Sequence, residues 1–102
     1  MALLYDFVRE INPMKETRSI KIKVIRLLTT PNFYNTENHY SIEIVIVDEK
    51  GDKIQASVKR SLLLRFGPIL HEGRVYSISK FGVGQSSGNY RPAKHAYKMN
   101  FL

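Results

Sequence analysis

Apolar residues recur at every second position in several separate stretches of this chain, and a period of two restricts it to a fold built on strands. Ile20, Ile22 and Val24 alternate with Lys21 and Lys23, which makes a strand apolar on one side and basic on the other. Tyr40, Ile42, Ile44 and Ile46 alternate at first with Ser41 and Glu43. Val45 and Val47 then make that run apolar on both sides, which predicts that one end of the sheet is buried twice. Ile54, Ala56 and Val58 alternate with Lys53, Gln55, Ser57 and Lys59. The pattern returns over Arg74 to Phe81, and again at Tyr97, Met99 and Phe101.

Turn chemistry separates these runs. Asp48 to Asp52 reads as a hairpin connection with Gly51 free to take a positive φ. Thr29 to His39, with Pro31, several asparagines and no apolar repeat, reads as a loop carrying Phe33 and Tyr34. Gly82 to Pro92, rich in glycine and serine, reads as a second long loop.

Two stretches change to helical spacing. Leu3, Leu4, Phe7, Val8 and Ile11, with Asp6, Arg9 and Glu10 between them, predict a short amphipathic helix that Pro13 ends. Leu62, Leu63, Phe66 and Leu70 predict another, held to about two turns by Gly67 and Pro68, with Ser57 or Ser61 as its cap. The expected organisation is an N-terminal helix and linker over 1–18 and one folded domain over 19–102. Five strands with a helix between the third and fourth is the strand order of the OB-fold, an all-β, five-stranded Greek-key barrel. A chain of 102 residues has enough length for one such core.

Several classes of chemistry are disfavoured. Without cysteine there is no disulfide frame, thiolate metal site or cysteine nucleophile. Apolar runs such as Ile44 to Val47 fall far short of the roughly 20 residues of a membrane-spanning helix. Met1 to Asp6 lacks the basic start of a secretory signal, so a soluble intracellular protein is expected. His39, His71 and His95 lie in separate elements without metal-site spacing, and no metal or cofactor is expected. Asp48, Glu49 and Asp52 belong to a turn and have no evident acid–base partner. Gly82-Val83-Gly84 follows a strand as a dinucleotide loop would, but Arg91-Pro92 follows where a helix should open. Ser86 and Ser87 sit in no nucleophile motif. The reading is of a binding module and not an enzyme.

The net charge of +7 gives that module a sign. Before residue 20 the cations Arg9, Lys15 and Arg18 are cancelled by Asp6, Glu10 and Glu16, so the excess lies in the remainder. From Lys80 onward there are Lys80, Arg91, Lys94 and Lys98 and no acid. A one-sided basic end of this kind is the electrostatic footprint of nucleic-acid binding.

An ordered series of words runs through the same elements. It comprises Ile11-Asn12-Pro13, Ile20-Lys21-Ile22-Lys23-Val24 and the stretch from Val47-Asp48-Glu49-Lys50-Gly51 through Ile54-Gln55-Ala56-Ser57-Val58. Phe66-Gly67-Pro68-Ile69-Leu70, Gly73-Arg74-Val75-Tyr76-Ser77-Ile78-Ser79-Lys80, Tyr90, Tyr97 and Phe101 complete it. In this series the chain resembles the OB domains of the replication protein A large subunit that bind single-stranded DNA (ssDNA), plant members and their uncharacterised relatives above all.

The resemblance covers about nine-tenths of the chain. It implies the OB-fold, ssDNA binding with little sequence preference, a place in DNA replication, repair or recombination, and the nucleus. It also implies partners among replication protein A-like subunits or neighbouring OB domains. Tyr90 falls where that family places one of its two stacking aromatics. The other aligns with Lys59, a family arginine aligns with Gln55, a basic loop residue with Gly84, and an acid with Lys98.

An OB-fold of this kind binds single strands along its second and third strands, bases on aromatic rings and phosphates on Lys or Arg. The expected nucleic-acid-binding residues are therefore Tyr90, Arg91, Lys94, Lys80 and Lys59, with Phe33, Tyr34 and Gln55. Two other readings stand beside this one: a protein-interaction OB module docking an acidic partner or a neighbouring OB domain, and RNA binding.

Overall fold

The computed structural model describes residues 5–14, 19–31, 40–86 and 93–102. Six strands form one sheet: β1 (Ser19–Pro31), β2 (Tyr40–Val47), β3 (Lys53–Val58), β4 (Val75–Ser79), β5 (Gly82–Gln85) and β6 (Tyr97–Asn100), in the order β4-β1-β2-β3-β6-β5. All pairings are antiparallel except β3 with β6. The two outermost strands, β4 and β5, are consecutive in the chain and joined only by Lys80 and Phe81, so the sheet curls into a half-barrel of the OB-fold type. Lys80 makes that corner with φ of 56°, a left-handed conformation uncommon for a residue with a side chain.

The period of two becomes the barrel wall. Ile20, Ile22, Val24, Ile42, Ile44, Ile46, Ile54, Ala56, Val58 and Met99 all point inward and are buried in one cluster. α1 (Leu63–Phe66), entered through a 3-10 turn at Arg60–Leu62, closes one end, with Phe66 edge-on to Phe101 at 5.0 Å between ring centroids. Neither turn has a side-chain cap, and Ser57, on β3, gives its hydroxyl to Glu43. Tyr76 fixes the chain after α1: its hydroxyl donates to the Ile69 carbonyl (2.6 Å) and accepts from the His71 N–H (2.8 Å).

β1 is long because it serves two partners. Ser19 to Lys23 pairs with β4, and Lys23 to Pro31 pairs with β2. The register slips between Val24 and Arg26, leaving Ile25 as the extra residue of a bulge. The turn before β4 supports the bend, through Gly73 N–H to the Val24 carbonyl (2.7 Å) and Leu27 N–H to the Glu72 carboxylate (2.8 Å). Beyond the bulge the inward parity is exchanged, so Leu27 faces the core.

Three expectations are corrected. In place of the N-terminal amphipathic helix there is a single 3-10 turn, Val8–Glu10, while Leu3 and Leu4 lie outside the described residues. A short helix costs more to nucleate than it returns, and the backbone here has better partners. Val8 N–H donates to the buried carboxylate of Asp48 (2.8 Å), Asp6 N–H to the Ser19 carbonyl (2.7 Å), and Phe7 N–H to Glu10 (2.9 Å). Val8 and Ile11 still reach the core, at 0% and 2% exposure.

Thr29 to Pro31, expected in a loop, continue β1. Gly82 to Gln85, expected in the later loop, form β5, a sixth strand. Its glycines hide the alternation, and pairing with β6 supplies its hydrogen bonds.

The β2–β3 connection is tied by one side chain. Asp48, 8% exposed, accepts from the N–H groups of Lys50 (3.0 Å) and Asp52 (3.1 Å) as well as from Val8, while Gly51 takes φ of 86°. Of the carboxylates singled out in this turn, Asp48 has a folding role, joining the hairpin to the N-terminal segment. Among the described residues no helix is long and apolar enough to cross a membrane, and no group of three His, Asp or Glu side chains could hold a metal.

Candidate functional site

The inward row of each strand dictates an outward row, which is polar along β3 and, on β2, polar at Ser41 and Glu43 before turning apolar at Val45 and Val47. The pairing registers align it across the sheet. Leu28 of β1 stands opposite Glu43 of β2, Glu43 opposite Ser57 of β3, Ser57 opposite Asn100 of β6, and Asn100 opposite Gly82 of β5. One step away, Arg26 stands opposite Val45, Val45 opposite Gln55, and Lys98 opposite Gly84, with Lys98 next to the Ala56–Met99 pair and so level with Gln55. Val45 points outward yet is only 7% exposed, so neighbouring side chains roof it and the expected double burial holds at this residue.

Glu43 organises the centre of this face. Its Oε2 accepts from the Gln55 side-chain amide (3.0 Å) and from the Ser57 hydroxyl, and its Oε1 accepts from the Ser41 hydroxyl at 3.3 Å. All four side chains are half-buried. The two strips differ in charge: one carries Arg26, Gln55 and Lys98, and the other carries the single acid beside a hydroxyl and an amide.

The connections to either side open at opposite ends of β3. β1 and β2 are joined beyond Pro31 and Tyr40, near the Val58 end, while β5 and β6 are joined beyond Gln85 and Tyr97, near the Lys53 end. At the second end a groove is lined by Arg9, Asp52, Lys53, Lys94, His95 and Tyr97. Tyr97 N–H donates to His95 Nδ1 (3.1 Å), which leaves Nε2 as the donor to the Val8 carbonyl (2.8 Å) and ties this loop to the N-terminal segment. Arg9 and Asp52 pair at 2.8 Å across the groove, an exposed contact that adds little stability.

The expected site residues divide accordingly. Gln55 lies in the middle of the outer face, bonded to Glu43. Lys94 is exposed and lines the groove at the Lys53 end. Lys59 is exposed just beyond β3, where the 3-10 turn begins. Lys80 borders a different groove, with Phe66, Ile69, Tyr76 and Phe101 beside α1, and is not brought together with Lys94. Phe33, Tyr34, Tyr90 and Arg91 lie outside the described residues.

Glu43, Ser57, Lys53 and Lys98 were not among the residues expected to bind. Their signal was the polar phase of the alternation, which marks a residue as outward but does not say which outward residues become neighbours.

This arrangement of strands is shared with solved structures. The chain is similar to a chain of a replication protein A heterotrimer bound to ssDNA, with a TM-score of 0.78 and 22% identity over 97% of this chain and 23% of that one. It is also similar to DNA binding domain A of S. cerevisiae replication protein A, with a TM-score of 0.66 and 20% identity over 95% of this chain and 85% of that one. The chain therefore spans 23% of the length of the first of these. At such identities the likeness is one of fold, a replication protein A-like OB domain. Comparison with curated protein sequences gives no match. Residues 9–102 match the model of the family described as "Domain of unknown function DUF223", and the chain belongs to that family.

Proposed function

We propose that this domain binds ssDNA with little overall sequence preference, the strand lying across the outer face of β2, β3 and β6. The observation that carries the reading is the pair of outward rows crossing the barrel between two interstrand connections. Glu43, Ser57 and Gln55 occupy their centre beside Val45, Arg26 and Lys98 flank them, and Lys53 and Lys94 line the groove at one end. The connections contain Phe33 and Tyr34 on one side and Tyr90 and Arg91 on the other. The ssDNA-bound state of one structurally similar protein supports the same choice of ligand. In this reading Tyr90 stacks on a base, Phe33 or Tyr34 adds a second ring, and Arg91, Lys94 and Lys59 meet phosphates. Replication, repair or recombination in the nucleus is the setting the reading implies, with other replication protein A-like subunits or OB domains as companions.

The chemistry is electrostatic capture followed by stacking. Phosphate contacts release counterions, so affinity falls as salt rises, and base stacking adds a sequence-tolerant term. Fluorescence anisotropy with short ssDNA, ssRNA and duplex oligonucleotides over a salt series tests it. The expected result is ssDNA bound more tightly than duplex, with Tyr90→Ala weakening binding by about 1–3 kcal/mol, roughly 5- to 150-fold in Kd. Equal binding of duplex, together with no effect of Tyr90→Ala, overturns the reading.

A further inference from the structure

We infer that the Glu43 cluster at the centre of the outer face is a base-reading position selective for unpaired guanine. This inference rests on the proposed binding of single strands to that face. A carboxylate in the middle of a surface that receives a polyanion repels phosphate, so the backbone must run along the cationic margins and a base must lie over Glu43. The carboxylate accepts hydrogen bonds and donates none. The base it favours is therefore the one whose exposed edge offers donors.

Guanine alone presents two adjacent donors, N1–H and the 2-amino group, on its pairing edge, with the O6 acceptor beside them. Cytosine and adenine each offer one amino group next to an acceptor nitrogen, and thymine offers a single N–H between two carbonyls. Single-stranded bases leave these edges open to protein groups.

The partners of Glu43 hold it for this task. Gln55 and Ser57 both donate to Oε2, fixing the carboxylate from β3, while among the described residues Oε1 has only the long 3.3 Å contact from Ser41. A carboxylate has about four lone-pair sites, so a base that displaces the long Ser41 contact finds two of them on Oε1, one for each guanine donor. The Gln55 amide uses one N–H on Glu43 and can turn the other toward a carbonyl such as O6. Gly82, at the end of the same row, adds no side chain. The rest of the strand is held by stacking and phosphate contacts, so the preference is confined to one position.

The test is a competition series with the whole domain. Oligothymidylates of about ten nucleotides, within the 4–16 covered by one OB-fold, carry a single guanine, adenine, cytosine or hypoxanthine at each position in turn. Hypoxanthine differs from guanine only in lacking the 2-amino donor. At one position guanine is expected to bind about ten-fold tighter than thymine, within the discrimination of a good bidentate contact, and hypoxanthine to lose most of that gain. Glu43→Gln, similar in shape, is expected to abolish the ratio while binding the all-thymine strand somewhat more tightly, because a charge facing the polyanion is gone.

The inference is overturned if all bases bind alike, if cytosine or adenine is preferred, or if Glu43→Gln leaves the guanine ratio unchanged. The hypoxanthine arm needs no variant and stands whether or not Glu43→Gln folds. Failure of every oligonucleotide to bind overturns the proposed function itself, an outcome distinct from binding without preference.

Discussion

The inner and outer faces of β2 and β3 share one backbone and do opposite work. Inward, Ile42, Ile44, Ile46, Ile54, Ala56 and Val58 are 0–8% exposed and hold the barrel by apolar burial. Outward, Glu43, Gln55 and Ser57 form a hydrogen-bonded cluster that remains half in water. Burial without direction can be met by any apolar side chain of suitable volume, whereas the outer cluster depends on which polar atoms meet. Stability should therefore be concentrated on one face and ligand selectivity on the other.

The sharpest way to break this division is to cut the inner face. Ile44→Ala, at a residue 0% exposed, is expected to destabilise the domain by about 2–5 kcal/mol, since the lost transfer energy adds to the cavity left behind. Urea unfolding measures this, and ssDNA affinity per folded molecule should stay the same. A Kd that moves with the variant while the protein remains folded would mean that the two faces are not independent.

A smaller loss is expected at the edge between them. Asp48→Ala removes an acceptor from Val8, Lys50 and Asp52 and should cost about 1–3 kcal/mol, the penalty for leaving buried donors unpaired. Because Val8 loses its anchor, hydrogen exchange should accelerate in both the N-terminal segment and the β2–β3 turn. Faster exchange in the turn alone would show that the segment is held by Val8 and Ile11 burial without Asp48.

The least effect on folding belongs to the outer face. Ser57→Ala deletes one donor to Glu43 at a half-buried site and should change stability by about 1 kcal/mol or less. Thermal unfolding that shifts as much as for Ile44→Ala would place the outer cluster among the supports of the barrel.

Much of the fold was legible because it depends on periodicity. The alternations at 20–24, 40–46, 54–58 and 97–101 became strands, and Gly51 took the positive φ its turn requires. The N-terminal helix was misread because Val8 and Ile11 have the spacing of a helix, but their burial and the Asp48 carboxylate need only one 3-10 turn. β5 was missed because glycine carries no side chain to alternate. The candidate site was less legible. Gln55 lies on the outer face and Lys94 lines the groove at the Lys53 end, whereas Lys80, grouped with Lys94 on sequence proximity, borders a different groove beside α1.

Sequence alone determined the strand-built class, the inward set of side chains, the basic excess and the absence of cysteine chemistry, because each depends on residue type and local spacing. Tertiary structure decided which outward residues became neighbours. The pairing of Glu43 with Ser57, and of Ser57 with Asn100, depends on register between strands far apart in the chain. Register follows from the curl of the whole sheet, from the bulge at Ile25 to the turn at Lys80, which no single stretch of sequence encodes.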